Sequence, residues 1–230
     1  MTAYHGGKQR LGKKLAEAIV DESVAIAEEE GIGIKGYCEP FCGMLGVYRH
    51  VPGLFEKEGL TGLRYRAGDS NRSVIKMWQA AQKGWVPPVS CTQKEFNDLK
   101  MSKKPSALKG YIGHQYSYGG QYFEGFSTKY GKGASSCKAS SRVKDISREL
   151  GKVGFQACGY DQFSDLQNYV IYCDPPYPDS KSRYYNNGRR ARFDTEAFWN
   201  WAKEMAKNNI VFVSSYKAPK GLLCVFESTH

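Results

Sequence analysis

Tyr169-Val170-Ile171-Tyr172-Cys173-Asp174-Pro175-Pro176-Tyr177 sets five apolar or aromatic residues directly before an acid and two prolines. A short unbroken run of that kind is the pattern of a strand buried on both faces, as in parallel sheets covered by helices. Two successive prolines fix φ and remove two amide donors, so the run must end in a stiff turn. The free groups of that turn are acceptors, the Asp174 carboxylate and the Pro175 carbonyl. Open α/β sheets collect ligands at the carboxyl ends of their strands, which makes this turn a candidate site for a ligand that donates hydrogen bonds. An aromatic amine such as adenine N6 is one. Its lone pair is delocalised into the ring until acceptors hold the amine in a more tetrahedral geometry, and Tyr177 offers a face on which an extruded base can stack. The plainer alternative is a rigid turn with an exposed acid, since Asp-Pro and Pro-Pro are ordinary turn dipeptides.

Outward from this strand the chain alternates between strand and helix patterns. Residues 8 to 30 place Leu11, Leu15, Ile19 and Ile26 at helical spacing and stop at Gly31 and Gly33. Residues 34 to 38 and 63 to 67 read as strands, the first ending in Glu39-Pro40-Phe41-Cys42-Gly43 and the second at Gly68-Asp69. A helix is predicted over 71 to 82, closing at Gly84. Thr92 and Glu95 have capping-box spacing after the Pro87-Pro88 break. Further on, 142 to 150 reads as a helix and 155 to 160 as a buried strand. Asp194 caps a predicted helix over 195 to 207, and 210 to 214 and 222 to 226 read as strands. This order predicts an α/β fold on a parallel sheet.

Residues 110 to 141 differ. Tyr111, Tyr116, Tyr118, Tyr122, Phe123, Phe126 and Tyr130 are interleaved with glycines and with Lys129, Lys132 and Lys138, without periodicity. Lysines with aromatics on a flexible backbone suit phosphate tracking and base stacking. A loop-rich subdomain with its own aromatic core has the same composition.

The length of 230 residues allows one sizeable domain, or one domain carrying an insertion. No apolar run approaches the roughly 18 residues of a spanning helix, and the amino terminus lacks the n- and h-regions of a secretory signal. A soluble protein with no membrane association is expected. Lys and Arg number 33 against 23 Asp and Glu, a net charge of +10 that suits a polyanionic partner without identifying one. Seven cysteines with no C-x-x-C pair, and four histidines without ligand spacing, predict no metal site. The cysteines read mostly as small core residues in a reducing compartment.

The order of these motifs resembles that of the Dam-type adenine-N6 DNA methyltransferases of the permuted alpha group. Tyr4-His5-Gly6-Gly7-Lys8 is similar to the family's W-A-G-G-K, with Tyr in place of Trp. Glu39-Pro40-Phe41-Cys42-Gly43 resembles E-P-F-x-G, Asp69-Ser70-Asn71 resembles D-x-N, and Asp174-Pro175-Pro176-Tyr177 matches D-P-P-Y in full. Tyr116-Ser117-Tyr118-Gly119-Gly120 resembles part of the family's target-recognition region, and 155 to 160 the strand before the catalytic one. The likeness covers residues 3 to about 215. Leu45 stands where the family has a second glycine, which shifts to Gly46, so Leu45 is expected to crowd the methionine moiety of a cofactor. Gln121 and Phe123 stand where GATC-reading enzymes carry an apolar residue and an Arg, the commonest guanine reader.

The resemblance implies a Rossmann-like S-adenosylmethionine-dependent methyltransferase sheet, formed by residues 1–85 and 151–230, with a mostly helical and loop-rich target-recognition insert at 86–150. It implies a cofactor site at Tyr4, Gly6, Gly7, Lys8, Glu39, Phe41, Gly43, Asp69, Tyr160 and Asp174, and catalysis at Asp174, Pro175, Pro176 and Tyr177. DNA contacts are expected at Tyr116, Tyr118, Gln121, Phe123, Lys129 and Lys132. The expected reaction moves a methyl group from S-adenosylmethionine to N6 of an adenine flipped out of double-stranded DNA, by direct attack, with Cys42 and Cys173 as packing residues. Such a protein is expected as a monomer in a prokaryotic cytoplasm or nucleoid, or in a host cell if phage-encoded, with a companion restriction endonuclease as a possible partner. An RNA amine methyltransferase and a catalytically degenerate DNA-binding module are the alternatives.

Overall fold

The computed structural model describes residues 7–127, 134–177, 184–186, 189–191 and 193–228. Tyr4, Gly6, Lys129 and Lys132, named above, lie outside them. In chain order the elements are α1 (Gly12–Glu30), β1 (Gly36–Glu39), α2 (Val51–Lys57), β2 (Arg64–Gly68), α3 (Arg72–Gln82), α4 (Gln93–Met101), α5 (Ala107–Gln115) and α6 (Ala134–Glu149). Then follow β3 (Gly154–Gln156), β4 (Tyr169–Cys173), the hairpin strands β5 (Tyr184–Asn186) and β6 (Arg189–Ala191), α7 (Thr195–Met205) and β7 (Ile210–Val213). The fold is mixed α/β, with seven α-helices and a five-stranded all-parallel sheet of order β3-β2-β1-β4-β7 among the described residues.

Local chemistry accounts for several of the boundaries. Gly31 closes α1 in a left-handed conformation (φ 67°), its N–H bonded to the Ala27 carbonyl. Asn71 caps α3 by accepting from the Ser73 amide at 3.1 Å, and Asp194 caps α7 through the Ala197 amide at 2.9 Å. Thr92 and Glu95 form the reciprocal capping box that their spacing predicts.

All five residues of β4 are buried because β1 pairs on one side, β7 on the other, and both faces are covered. On one face Tyr37, Val170, Tyr172 and Phe212 pack with Ile19 and Val20 of α1, Phe55 of α2 and Trp78 of α3. On the other, Cys38, Ile171 and Cys173 pack with Phe198, Ala202 and Met205 of α7. The first core runs on without a break into residues 86–150, taking in Phe96, Tyr111, Ile112, Phe123 and Ile146.

The structure corrects several expectations. α5 and the start of α6 occupy sequence read as aperiodic. From Gly110 to Gln115 every residue of α5 is buried, so no polar stripe marks the helix. A Cβ on Gly110 would strike the Ser73 backbone, and its absence lets α5 lie backbone to backbone on α3. β3 stops at Gln156, and Tyr160 opens a 3₁₀ turn, Tyr160–Phe163. Residues 222–226 form no strand. Leu45, expected to crowd a cofactor, is fully buried in the core instead and takes φ 54°, a left-handed conformation that favours glycine.

Candidate active site

The strand order reverses at β1. β2 and β3 lie to one side of it, β4 and β7 to the other, so a crevice opens where the carboxyl ends of β1 and β4 diverge. Glu39 is the last residue of β1, Asp174 follows the last residue of β4, and Asp69 follows the last residue of β2. The three carboxyl groups therefore meet at the rim of one cavity, about 520 Å³ in volume and within the usual size range of small-ligand clefts.

Lys8 reaches this cavity from the turn before α1. Its Nζ lies 2.6 and 2.7 Å from the two oxygens of Asp174, and the Tyr177 hydroxyl donates to Oδ1 of the same carboxylate at 3.1 Å. The Lys8 ammonium also sits 5.1 Å from the centre of the Tyr177 ring. Burial pushes the Asp174 carboxyl up, and Lys8 and Tyr177 draw it part of the way back. Burial alone would lower Lys8, but the Asp174 charge and Tyr177 outweigh it and leave the ammonium raised. Tyr177 is pushed up to about 12 by burial and by the Asp174 charge.

The other two acids are set differently. Asp69 accepts the Asn71 amide at 2.7 Å and the Gly43 amide at 3.0 Å, yet burial still raises it to about 6. The helix cap at this turn is thus Asn71, and the Asp69 carboxylate ties the loop after β1 to the end of β2. Glu39 is buried and accepts the Tyr37 hydroxyl at 2.7 Å. Burial pushes it up to about 8, so at neutral pH the carboxyl is mostly protonated and is itself a donor at the cavity wall.

Phe41 and Tyr160 form an aromatic wall, stacked with ring centroids 5.6 Å apart and backed by Phe193 and Phe198. Gly46 fixes the backbone that carries Lys8: a Cβ there would stand 3.2 to 3.3 Å from Lys8 and Gln9 main-chain atoms. Gln9 adds a hydrogen bond to the Met44 carbonyl at 3.1 Å.

Every described residue of the expected cofactor and catalytic sets lines this one cavity: Gly7, Lys8, Glu39, Phe41, Gly43, Asp69, Tyr160 and Asp174 to Tyr177. The expected DNA-contact residues divide. Gln121 lines the cavity and Tyr118 is 66% exposed. Tyr116 and Phe123 are core residues, so the expectation of DNA contact is corrected for both; their rings pack against Tyr111 and Phe96 respectively. Cys42 and Cys173 are buried.

Sequence reasoning missed the remaining wall. His114 and Glu124 border the cavity, as does Tyr122 of the aromatic set read above, and Tyr216 borders it beside Tyr177, with ring centroids 4.6 Å apart. His114 is held neutral, lowered by burial to about 4, with Nδ1 2.9 Å from the Gly120 carbonyl and its ring beside Tyr122. Tyr216 carries the one signal a sequence offers, an aromatic residue just past a strand's carboxyl end. Among the described residues no group of His, Cys, Asp and Glu has a placement that could hold a metal ion, and no helix is long and apolar enough to cross a membrane. In comparisons with known proteins, no family model and no curated protein matches this chain.

Proposed function

We propose that the protein is a DNA methyltransferase of Rossmann-like fold, transferring a methyl group from S-adenosylmethionine to N6 of an adenine flipped from duplex DNA. One observation carries this reading: the Asp174-Pro175-Pro176-Tyr177 turn, Lys8, Glu39 and Asp69 share a single cavity at the switch point of a parallel sheet.

The donor set of the cavity fits the cofactor. Each Asp69 oxygen accepts one amide and keeps a lone pair for a ribose hydroxyl. Phe41 and Tyr160 supply an apolar wall for adenosine, and Lys8 is the cation suited to the amino-acid carboxylate. The bound cofactor supplies an electrophilic methyl group. The chain's own part is to hold the amine. Asp174 and the Pro175 carbonyl would accept its two N–H groups and Tyr177 would stack on its ring, aiming the lone pair at the methyl group. The sulfur–methyl bond would break to leave S-adenosylhomocysteine, the amine would lose one proton by way of Asp174 to solvent, and no covalent protein intermediate is needed.

Residues 86–150 are proposed as the DNA-binding insert, with duplex DNA as the partner. They carry eleven Lys and Arg against five Asp and Glu. Tyr118 and Gln121 are the contact candidates that keep an accessible face. The test is transfer of a labelled methyl group to unmethylated duplex DNA, followed by nucleoside analysis. N6-methyladenine at a short repeated site is the expected result. Transfer to RNA alone would replace the substrate, and transfer to neither would overturn the reading.

A further inference from the structure

Lys8 and Asp174 occupy each other. An amine held at Asp174 needs a carboxylate oxygen as acceptor, yet Lys8 takes both oxygens and Tyr177 shares one. The carboxylate of an amino-acid moiety needs the Lys8 ammonium, yet that ammonium is bound to Asp174. The pair is largely shielded from water, with side chains 17 and 18% exposed. Exchanging one carboxylate partner for another keeps the Lys8 charge compensated, and Asp174 retains the Tyr177 hydroxyl as a donor until the amine arrives. A lysine can make that exchange, being a point charge on a flexible four-carbon stem. Its backbone stays fixed by Gly46 and by the Gln9–Met44 hydrogen bond.

We propose that Lys8 gates Asp174: the carboxylate at the amino-acid end of the cofactor draws the ammonium away, and only then does Asp174 accept the N–H groups of the incoming amine. This rests on the methyltransferase reading and adds an order to it. Cofactor binds first, and the signal comes from its amino-acid end. The adenosine end, at Asp69 and Phe41, is silent in the exchange. Because Asp174 and the cofactor carboxylate compete for one ammonium, removing the Asp174 charge should strengthen binding of the amino-acid end.

The test compares S-adenosylhomocysteine, which has the carboxylate, with 5′-methylthioadenosine, which lacks it, by calorimetry on the full chain. Asp174→Asn keeps the shape and removes the competing charge. It is expected to tighten S-adenosylhomocysteine by about fivefold or more, in the range of ordinary coupling, and to leave 5′-methylthioadenosine unchanged. Lys8→Met should weaken only S-adenosylhomocysteine, and in the double variant the Asp174→Asn gain should vanish. Equal effects on both ligands, or a loss of S-adenosylhomocysteine affinity in Asp174→Asn, would overturn the gate while leaving the cofactor assignment standing. Binding of neither ligand to the wild-type chain would remove the methyltransferase reading and the gate with it.

Discussion

The Gly43 amide donates to Asp69 Oδ2 at 3.0 Å, joining the loop that follows β1 to the residue that follows β2. With the Asn71 amide on Oδ1, the carboxylate organises two loops at once before any ligand arrives. Asp69→Ala leaves two amides without this acceptor, a loss of about 1 to 3 kcal/mol for each that stays buried and unpaired. The expected outcome is a lower melting temperature together with weaker cofactor binding. Asp69→Asn, which keeps one acceptor, should fall between the two. Thermal melts paired with calorimetry of S-adenosylhomocysteine check this, and a variant that melts normally while losing the ligand would assign Asp69 to binding alone.

At Asp174 the demands of stability and of chemistry separate. Asp174→Ala removes the acceptor proposed for the amine and the carboxylate that Lys8 binds at 2.6 Å. Methyl transfer should fall by about a hundredfold or more, the usual scale for deleting a preorganised group at the reacting centre. The proposed binding to DNA should survive at low salt, since phosphate contacts would drive it. A transfer assay beside a mobility-shift titration reads both, and full transfer activity would remove Asp174 from the chemistry.

Glu39 sets a pH dependence. Its carboxyl rises from an ordinary 4.5 to about 8 on folding, so between those values the native state holds a proton that the unfolded chain has lost. Stability therefore declines as pH climbs from about 4.5 to 8, by up to about 5 kcal/mol, and levels off above that. Asp69, raised from 3.8 to about 6, adds a decline of the same sign at lower pH. Glu39→Gln, neutral throughout, should flatten the upper part of the curve in denaturant melts taken from pH 5 to 9. An unchanged slope would mean that Glu39 is already ionised in the fold.

How much of this could be read from the sequence depended on whether a feature is local. β4 and its turn were legible because five consecutive buried residues and two prolines need no context. The caps at Thr92 and Asp194 were legible because a cap is a contact between near neighbours. α5 was hidden for the opposite reason: packed against α3 through Gly110, it is buried all round from Gly110 to Gln115 and gives no period there. Residues 222–226 carry strand composition, but composition does not supply a neighbouring strand. At the site, Glu39, Asp69 and Asp174 were marked by motifs at the ends of strands, whereas His114 and Glu124 reach the cavity only through tertiary packing.

The continuity of the core between the sheet and residues 86–150 has a mechanical consequence. Trp78 of α3 is fully buried in that shared core, and its indole N–H donates to the Gly43 carbonyl at 2.8 Å. Gly110→Val would force α5 away from the Ser73 backbone, an overpacking that costs about 1 to 3 kcal/mol. Because the core is shared, the whole chain should melt earlier in a single transition. Two separate transitions by calorimetry would show that residues 86–150 unfold on their own.

Gly46 offers the finest test of how the site is positioned. A methyl group there would stand 3.2 to 3.3 Å from main-chain atoms of Lys8 and Gln9, close enough that the neighbour must give by a few tenths of an ångström. The Gln9 hydrogen bond to Met44 spans the same junction and would be strained with it. Lys8 would then meet Asp174 and the cofactor from a shifted origin, and misplacements of up to about 1 Å cost as much as a hundredfold in rate. Gly46→Ala should therefore lower kcat/KM for methyl transfer by roughly tenfold while changing the melting temperature little, since the strain falls on a turn rather than on the core. Gly53→Ala, on α2 with open space around it, serves as the control and should leave both unchanged. If Gly46→Ala lost stability without losing specificity for cofactor, the glycine would be serving the fold, and the position of Lys8 would be set elsewhere.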